Sequence, residues 1–162
     1  MSKTKLLILL LISICISACV NKKLEKNRLD FQVKYISGGY DGLQLSKQLK
    51  SNLQHFGIFN SNSTNIIEAN IKHKASVFIT NIDNTSEREK IVSGLSVKIY
   101  NQGQECYVYN YTNEVSQFYI YSPADKFISN KSAVTKIKKT NLDRLVKNFI
   151  NQLIYAELNC EQ

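Results

Sequence analysis

Between Ile71 and Tyr121 the chain alternates apolar and polar residues in three successive stretches, and a stripe with helical spacing lies on either side of them. Period-two alternation marks a strand with one buried face, so this arrangement restricts the fold more than any other feature. Ile71, Ala75, Val77 and Ile79 share one parity, with His73 on the same face, and Ile91, Leu95, Val97 and Ile99 share the next. Cys106 to Tyr111, followed by Val115 to Tyr121, forms a third run rich in tyrosine. The interruptions DNTSER (Asp83 to Arg88) and NQGQ (Asn101 to Gln104) make two consecutive hairpins of these stretches. Upstream, Phe31, Val33 and Tyr35 alternate with Gln32 and Lys34 as a further strand, stopped by Ser37-Gly38-Gly39.

Leu45, Leu49, Leu53 and Phe56 recur at the spacing of a helix face, with Asp41 and Gln44 placed as a capping box and Gly57 as a left-handed stop. Lys47, Lys50, Asn52 and Gln54 fall on its polar side, and NSNSTN (Asn60 to Asn65) reads as a polar loop. Near the C-terminus, Leu142, Leu145, Val146, Phe149, Ile150, Leu153 and Ile154 make a continuous stripe. Two starts for this helix are open: Thr140 with Asp143 as a capping box, or a point near Ser129 or Ser132 that adds Ala133 and Ile137 to the stripe. The order is strand, helix, three strands, helix. Each helix has one face to bury and the sheet has one face to cover, which predicts an α+β domain: a four-stranded mixed, largely antiparallel sheet with both helices on one face. A hydrophobic content of 43% with 6 Gly and 1 Pro in 162 residues supplies a core for one such domain. No second domain and no internal repeat is visible.

The first residues belong to a different category. Lys3 and Lys5 precede an apolar run from Leu6 through Ile16 that is broken once, by Ser13. That run has the length of a signal-peptide core, about 7–15 residues, and is shorter than the ~20 of a membrane span. Ile16-Ser17-Ala18-Cys19 resembles the lipobox of bacterial lipoproteins, whose cysteine is alkylated with diacylglycerol before the chain is cut in front of it. Residues 1–18 are accordingly expected to be a signal peptide, 19–28 a tether and 29–162 the folded domain. Removing residues 1–18 leaves 144 residues and, with Lys3 and Lys5 gone, a formal side-chain charge of +6 in place of +8. A diacylglyceryl group with an N-acyl chain on Cys19 gives three tails, and each buried CH₂ contributes ~0.8 kcal/mol to anchoring. The residue after the cysteine is Val20 and not Asp, which by resemblance to lipoprotein sorting favours the outer membrane. Lys22, Lys23 and Lys26 in the tether can touch anionic headgroups or act as a solvated spacer.

No reaction centre assembles by motif. His55 and His73 are the two histidines, without Cys or acidic neighbours at metal spacing, and both read as structural or solvent-facing. Glu87, Glu89, Glu105 and Glu114 are scattered, and Asp83 sits in a turn. Tyr107, Tyr109 and Tyr111 share one side of their strand with Val108 on the other, either as a stripe for acyl chains or sugars or as ordinary sheet residues. Neither metal, cofactor nor enzyme chemistry is expected. Outside the inner membrane Cys106 and Cys160 have the redox environment to bridge; alternatively Cys106 is a small buried hydrophobe and Cys160 a tail residue.

The lipobox at Cys19, the strand Phe31 to Tyr35 leading into the Leu45-Leu49-Leu53 helix, the hairpins SEREKIVSGLSVKIYNQGQECYVYNYT and the closing helix LDRLVKNFINQLI together resemble the LPS-assembly lipoprotein family, LptE. Family members often continue from the lipidated cysteine into a Gly and apolar stretch, where this chain has Val20-Asn21-Lys22-Lys23. The resemblance implies a lipid-anchored protein on the periplasmic side of the outer membrane, seated in the lumen of a lipopolysaccharide-transport β-barrel as plug and assembly factor. Lys72, Lys74, Arg88, Lys90 and Lys98 on the strand region are then candidate contacts for anionic lipid A phosphates or for the partner, against the alternative of a solvated basic face. Lys131, Lys136, Lys138 and Lys139 form a second basic group. The competing reading is a pilot or accessory lipoprotein of another secretion or pilus machine. A cell-wall enzyme has the least support, and export makes nucleic acid an unsuitable partner.

Overall fold

The computed structural model describes residues 29–79, 87–120 and 127–160. Residues 1–28, expected to hold a signal peptide, Cys19 and a tether, and the first part of the DNTSER turn lie outside the described residues. The elements are β1 (Gln32–Val33), α1 (Gly39–His55), β2 (Asn65–Ile79), β3 (Glu87–Asn101), β4 (Cys106–Ile120) and α2 (Phe127–Leu153). The sheet order is β1-β2-β3-β4, with β1 parallel to β2 and the other pairs antiparallel. Both helices pack on one face, α1 over β1 and β2, α2 over β3 and β4, and they touch each other. This is the α+β arrangement the alternation and the stripes predict.

The core forms where the odd-numbered sheet residues meet the helix stripes. Leu45, Leu49 and Leu53 of α1, Ile67 of β2, Leu95, Val97 and Ile99 of β3, and Leu145, Val146, Phe149 and Ile150 of α2 have no exposed surface. Full burial of each such side chain contributes about 1.5–3 kcal/mol relative to leaving it in water. Ile36 and Ile67, which the alternation does not single out, complete this layer.

Several local expectations are corrected. β1 is two residues long and Tyr35 is 89% exposed, because the chain leaves the sheet after Lys34 and turns Ile36 inward instead. Asp41 does not cap α1: Gly38 is the N-cap, with no side-chain bond, and Asp41 sits in the first turn, where its charge suits the helix dipole. A close approach explains the start of α1, since a Cβ on Gly42 would lie 2.4 Å from the Ser37 carbonyl oxygen. Gly57 does terminate the helix, with φ of 64° and its N–H donated to the Gln54 carbonyl. Phe56, 39% exposed, falls outside the stripe.

The polar loop is partly interior. Ser63 and Asn65 are buried because their side chains donate to the Asp30 carbonyl at 2.6 and 3.1 Å, and Asn101 donates to Asn65 Oδ1 at 2.7 Å. At the other end of the chain α2 takes the earlier start. Thr140 lies in mid-helix with its hydroxyl on the Lys136 carbonyl, and Asp143 pairs with Lys147 at 2.9 Å. Ile154 follows the helix and is 41% exposed.

The tyrosine run breaks its own alternation. Ile99 faces Tyr109 while Tyr100 faces Tyr107, so Val108 is an extra residue in β4, a β-bulge that reverses parity. Tyr107 therefore lies on the open side of the sheet with Tyr100, their rings 5.3 Å apart, whereas Tyr109 and Tyr111 pack beside Phe149. Val108 is buried rather than opposed to a tyrosine stripe.

Candidate functional site

Lys72 and Lys74 on β2 and Arg88, Lys90 and Lys98 on β3 all carry even numbers, and in strands that parity points away from the helices. The structure thus places all five predicted basic residues on the sheet face that, among the described residues, no helix covers. They share a face and not a pocket, because Arg88 and Lys98 are ten positions apart on β3, about 34 Å at ~3.4 Å per residue. No carboxylate among the described residues pairs with any of the five. Lys98 lies 5.4 Å from the Tyr107 ring centroid and Lys90 lies 5.7 Å from that of Phe118, so both ammonium groups sit over aromatic faces. Aromatic contact holds these two heads without neutralising them.

The β1 end of the face is locked by polar contacts. Lys34 pairs with Glu68 at 3.0 Å, and the Tyr107 hydroxyl donates to the other Glu68 oxygen at 3.2 Å. That hydrogen bond to a carboxylate, reinforced by its charge, favours the neutral phenol and raises the Tyr107 pKa. Further along, the face dips into a hollow of about 280 Å³ bordered by Lys72, Lys74, Ser96, Thr112 and Glu114. Gly94, opposite Lys72 on one side and Glu114 on the other, makes the hollow by having no side chain. A Cβ there would come within 3.2 Å of Glu114 Oε1. Two ammonium groups, two hydroxyls and one carboxylate at a shallow open site suit the reversible holding of an anionic, hydroxyl-bearing group.

A second polar cluster lies under the helices. His73 and Ser93 are cross-strand neighbours, with His73 Nδ1 2.8 Å from Ser93 Oγ, and Asn141 of α2 donates to the same oxygen at 3.0 Å. Asp41 of α1 stands 3.9 Å from His73 Nε2. The Ser93 hydroxyl thus accepts the Asn141 amide while it shares a hydrogen bond with His73 Nδ1, and the other imidazole nitrogen, Nε2, faces Asp41. Asp41, His73 and Ser93 stand in the order of a hydrolase triad, but Ser93 has no exposed surface and its oxygen is already engaged. The cluster joins α1, β2, β3 and α2 at their common crossing. His73, which sequence reading leaves as structural or solvent-facing, is structural, with 6% of its side chain exposed.

Burial pushes the His73 imidazole below its ordinary 6.5, Lys138 acts in the same sense, and Asp41 opposes them. A base with a depressed folded-state pKa binds fewer protons folded than unfolded, so its share of stability is complete above 6.5 and declines as the pH falls below that value. His73→Gln is therefore expected to flatten the stability profile between pH 7 and about 5.5 relative to the parent. Urea midpoints across that range measure it; equal slopes in the two proteins would contradict the assignment.

Cys106 and Cys160 are joined, with Cα atoms 5.8 Å apart, tying the segment after α2 to the start of β4. Among the described residues no group of His, Cys, Asp and Glu has the arrangement of a metal site, and no helix is long and apolar enough to cross a membrane.

No protein-family model matches the chain, and no curated protein matches it in sequence. Solved structures do share the fold. A minor lipoprotein from Acinetobacter baumannii aligns with a TM-score of 0.62 at 16% identity, covering 82% of this chain and 96% of that one. A protein assigned as a lipoprotein from Caulobacter crescentus gives 0.55 at 12% identity, covering 76% and 86%. The rare lipoprotein B from Shewanella oneidensis gives 0.52 at 9%, covering 78% and 96%. At these identities the likeness defines a fold class, the small α+β domain of several bacterial lipoproteins.

Proposed function

We propose that the protein is an outer-membrane lipoprotein, anchored through acyl chains on Cys19, which binds and plugs the lipopolysaccharide-transport barrel and assists lipopolysaccharide assembly. The observation that carries this reading is the gathering of Lys72, Lys74, Arg88, Lys90 and Lys98 on the open face of a fold that solved bacterial lipoproteins share. The lipobox at Cys19 supports anchoring, and a face with uncompensated ammonium groups supports contact with phosphates or an acidic wall. The protein works by holding a partner and carries out no bond chemistry.

The test is co-purification from solubilised membranes. A lipopolysaccharide-transport barrel is expected to travel with the protein, and Lys72→Glu with Lys74→Glu is expected to reduce its recovery at least tenfold while the melting temperature stays within a few degrees. A secretin or pilus component in its place would support the pilot reading and contradict the plug. Unchanged recovery with the charge-reversed variant would remove the basic face from the account.

A further inference from the structure

We propose that the outer side of α1 and the turn before it form a second contact with the wall of the barrel, on the opposite side of the domain from the basic sheet face; this rests on the barrel reading above. A domain seated in a lumen is enclosed around its girth, so its helix layer meets the wall as well as its open sheet face. On that layer α2 presents polar groups: every exposed position from Lys131 to Gln152 is polar or charged. α1 differs at its start. Tyr40 and Leu43 are 69% and 64% exposed, and Tyr35, in the turn before the helix, is 89% exposed. Large exposed side chains of this kind, tyrosine above all, are the usual anchors of protein contacts. The backbone that carries them is fixed from the inside, because Ile36 is buried in the core and a Cβ on Gly42 would lie 2.4 Å from the Ser37 carbonyl oxygen. Outward groups on a fixed turn lose little further backbone freedom on docking.

The helix continues the patch with charge. Tyr40, Leu43, Lys47 and Lys50 follow one another at spacings of 3, 4 and 3, and all four are exposed, so they make one outward stripe ~15 Å long at ~1.5 Å per residue. Its first half is apolar and its second half is cationic. Among the described residues neither lysine pairs with a carboxylate. The complementary wall is therefore an apolar depression with carboxylates one to two helix turns further along. A helix that lies in a membrane interface has an apolar face along its whole length. This stripe is apolar at one end only, which suits a shaped protein wall and not a lipid surface.

Photo-crosslinking in native membranes tests this, with the full chain carrying p-benzoylphenylalanine in place of Tyr40. The expected product is a covalent adduct with the lipopolysaccharide-transport barrel. In parallel, Tyr40→Gln with Leu43→Gln is expected to lower recovery of the barrel from solubilised membranes at least tenfold while the variant keeps the parent's circular dichroism. Lys47→Glu with Lys50→Glu is expected to lower it several-fold. If the parent brings down the barrel but position 40 gives no adduct with it, the inference is overturned and the barrel reading stands; a folded Gln variant with undiminished recovery has the same meaning. Adducts with lipid alone assign the stripe to the membrane and overturn contact with the wall. A parent that brings down no barrel overturns the barrel reading, and this inference with it.

Discussion

Phe149→Ala is expected to lower the stability of the domain by about 3–5 kcal/mol, the range found when a buried aromatic is truncated and the cavity closes only in part. The ring has no exposed surface and sits against Tyr111 at 5.3 Å and Tyr109 at 6.5 Å, where α2 lies on β4. A domain of this size has about 5–15 kcal/mol in total, so the variant should be near the limit of folding at 37 °C. Urea denaturation measures the loss. An unchanged slope with a lowered midpoint is the expected form, since the change removes packing and leaves the extent of unfolding alone. A loss below ~1 kcal/mol would mean that the helix–sheet contact is not centred on this residue.

The second large effect concerns the bridge between Cys106 and Cys160. It closes a loop with a sequence separation of 54 that contains β4 and α2. Restricting the unfolded chain over such a loop corresponds to about 4 kcal/mol in the chain-entropy model. Replacing both cysteines by serine should remove up to that amount and make stability indifferent to reductant, while the parent loses a similar amount when reduced. Urea midpoints with and without reductant provide the comparison. Equal midpoints for the parent in both conditions would contradict a stabilising bridge.

What is legible in the chain follows from how far each pattern reaches. The face of a strand residue depends only on counting by two, which is why Lys72, Lys74, Lys90 and Lys98 fall to one side by parity alone. The stripe of α2 repeats often enough to survive Asn141, a fully buried polar residue in its middle. Counting fails where register changes. The bulge at Val108 separates Tyr107 from Tyr109 and Tyr111, and nothing local in YVYNY announces it. Gly42 reads as an ordinary glycine until the Ser37 carbonyl is found beneath it. The cluster of Asp41, His73, Ser93 and Asn141 draws one residue from each of four elements, so no spacing along the chain encodes it; the nearest signal is His73 on the apolar parity of its strand. The hollow at Gly94 depends on residues contributed by three strands, and a lone glycine inside an alternating stretch is its only trace.

Both the basic face and the proposed barrel partner depend on where the protein is held. Intact-mass spectrometry of the protein extracted from its native membrane addresses this directly. The expected product is a polypeptide that begins at Cys19 and is heavier than its amino-acid sequence by a diacylglyceryl group and one further acyl chain. A full-length, unmodified chain starting at Met1 would contradict it.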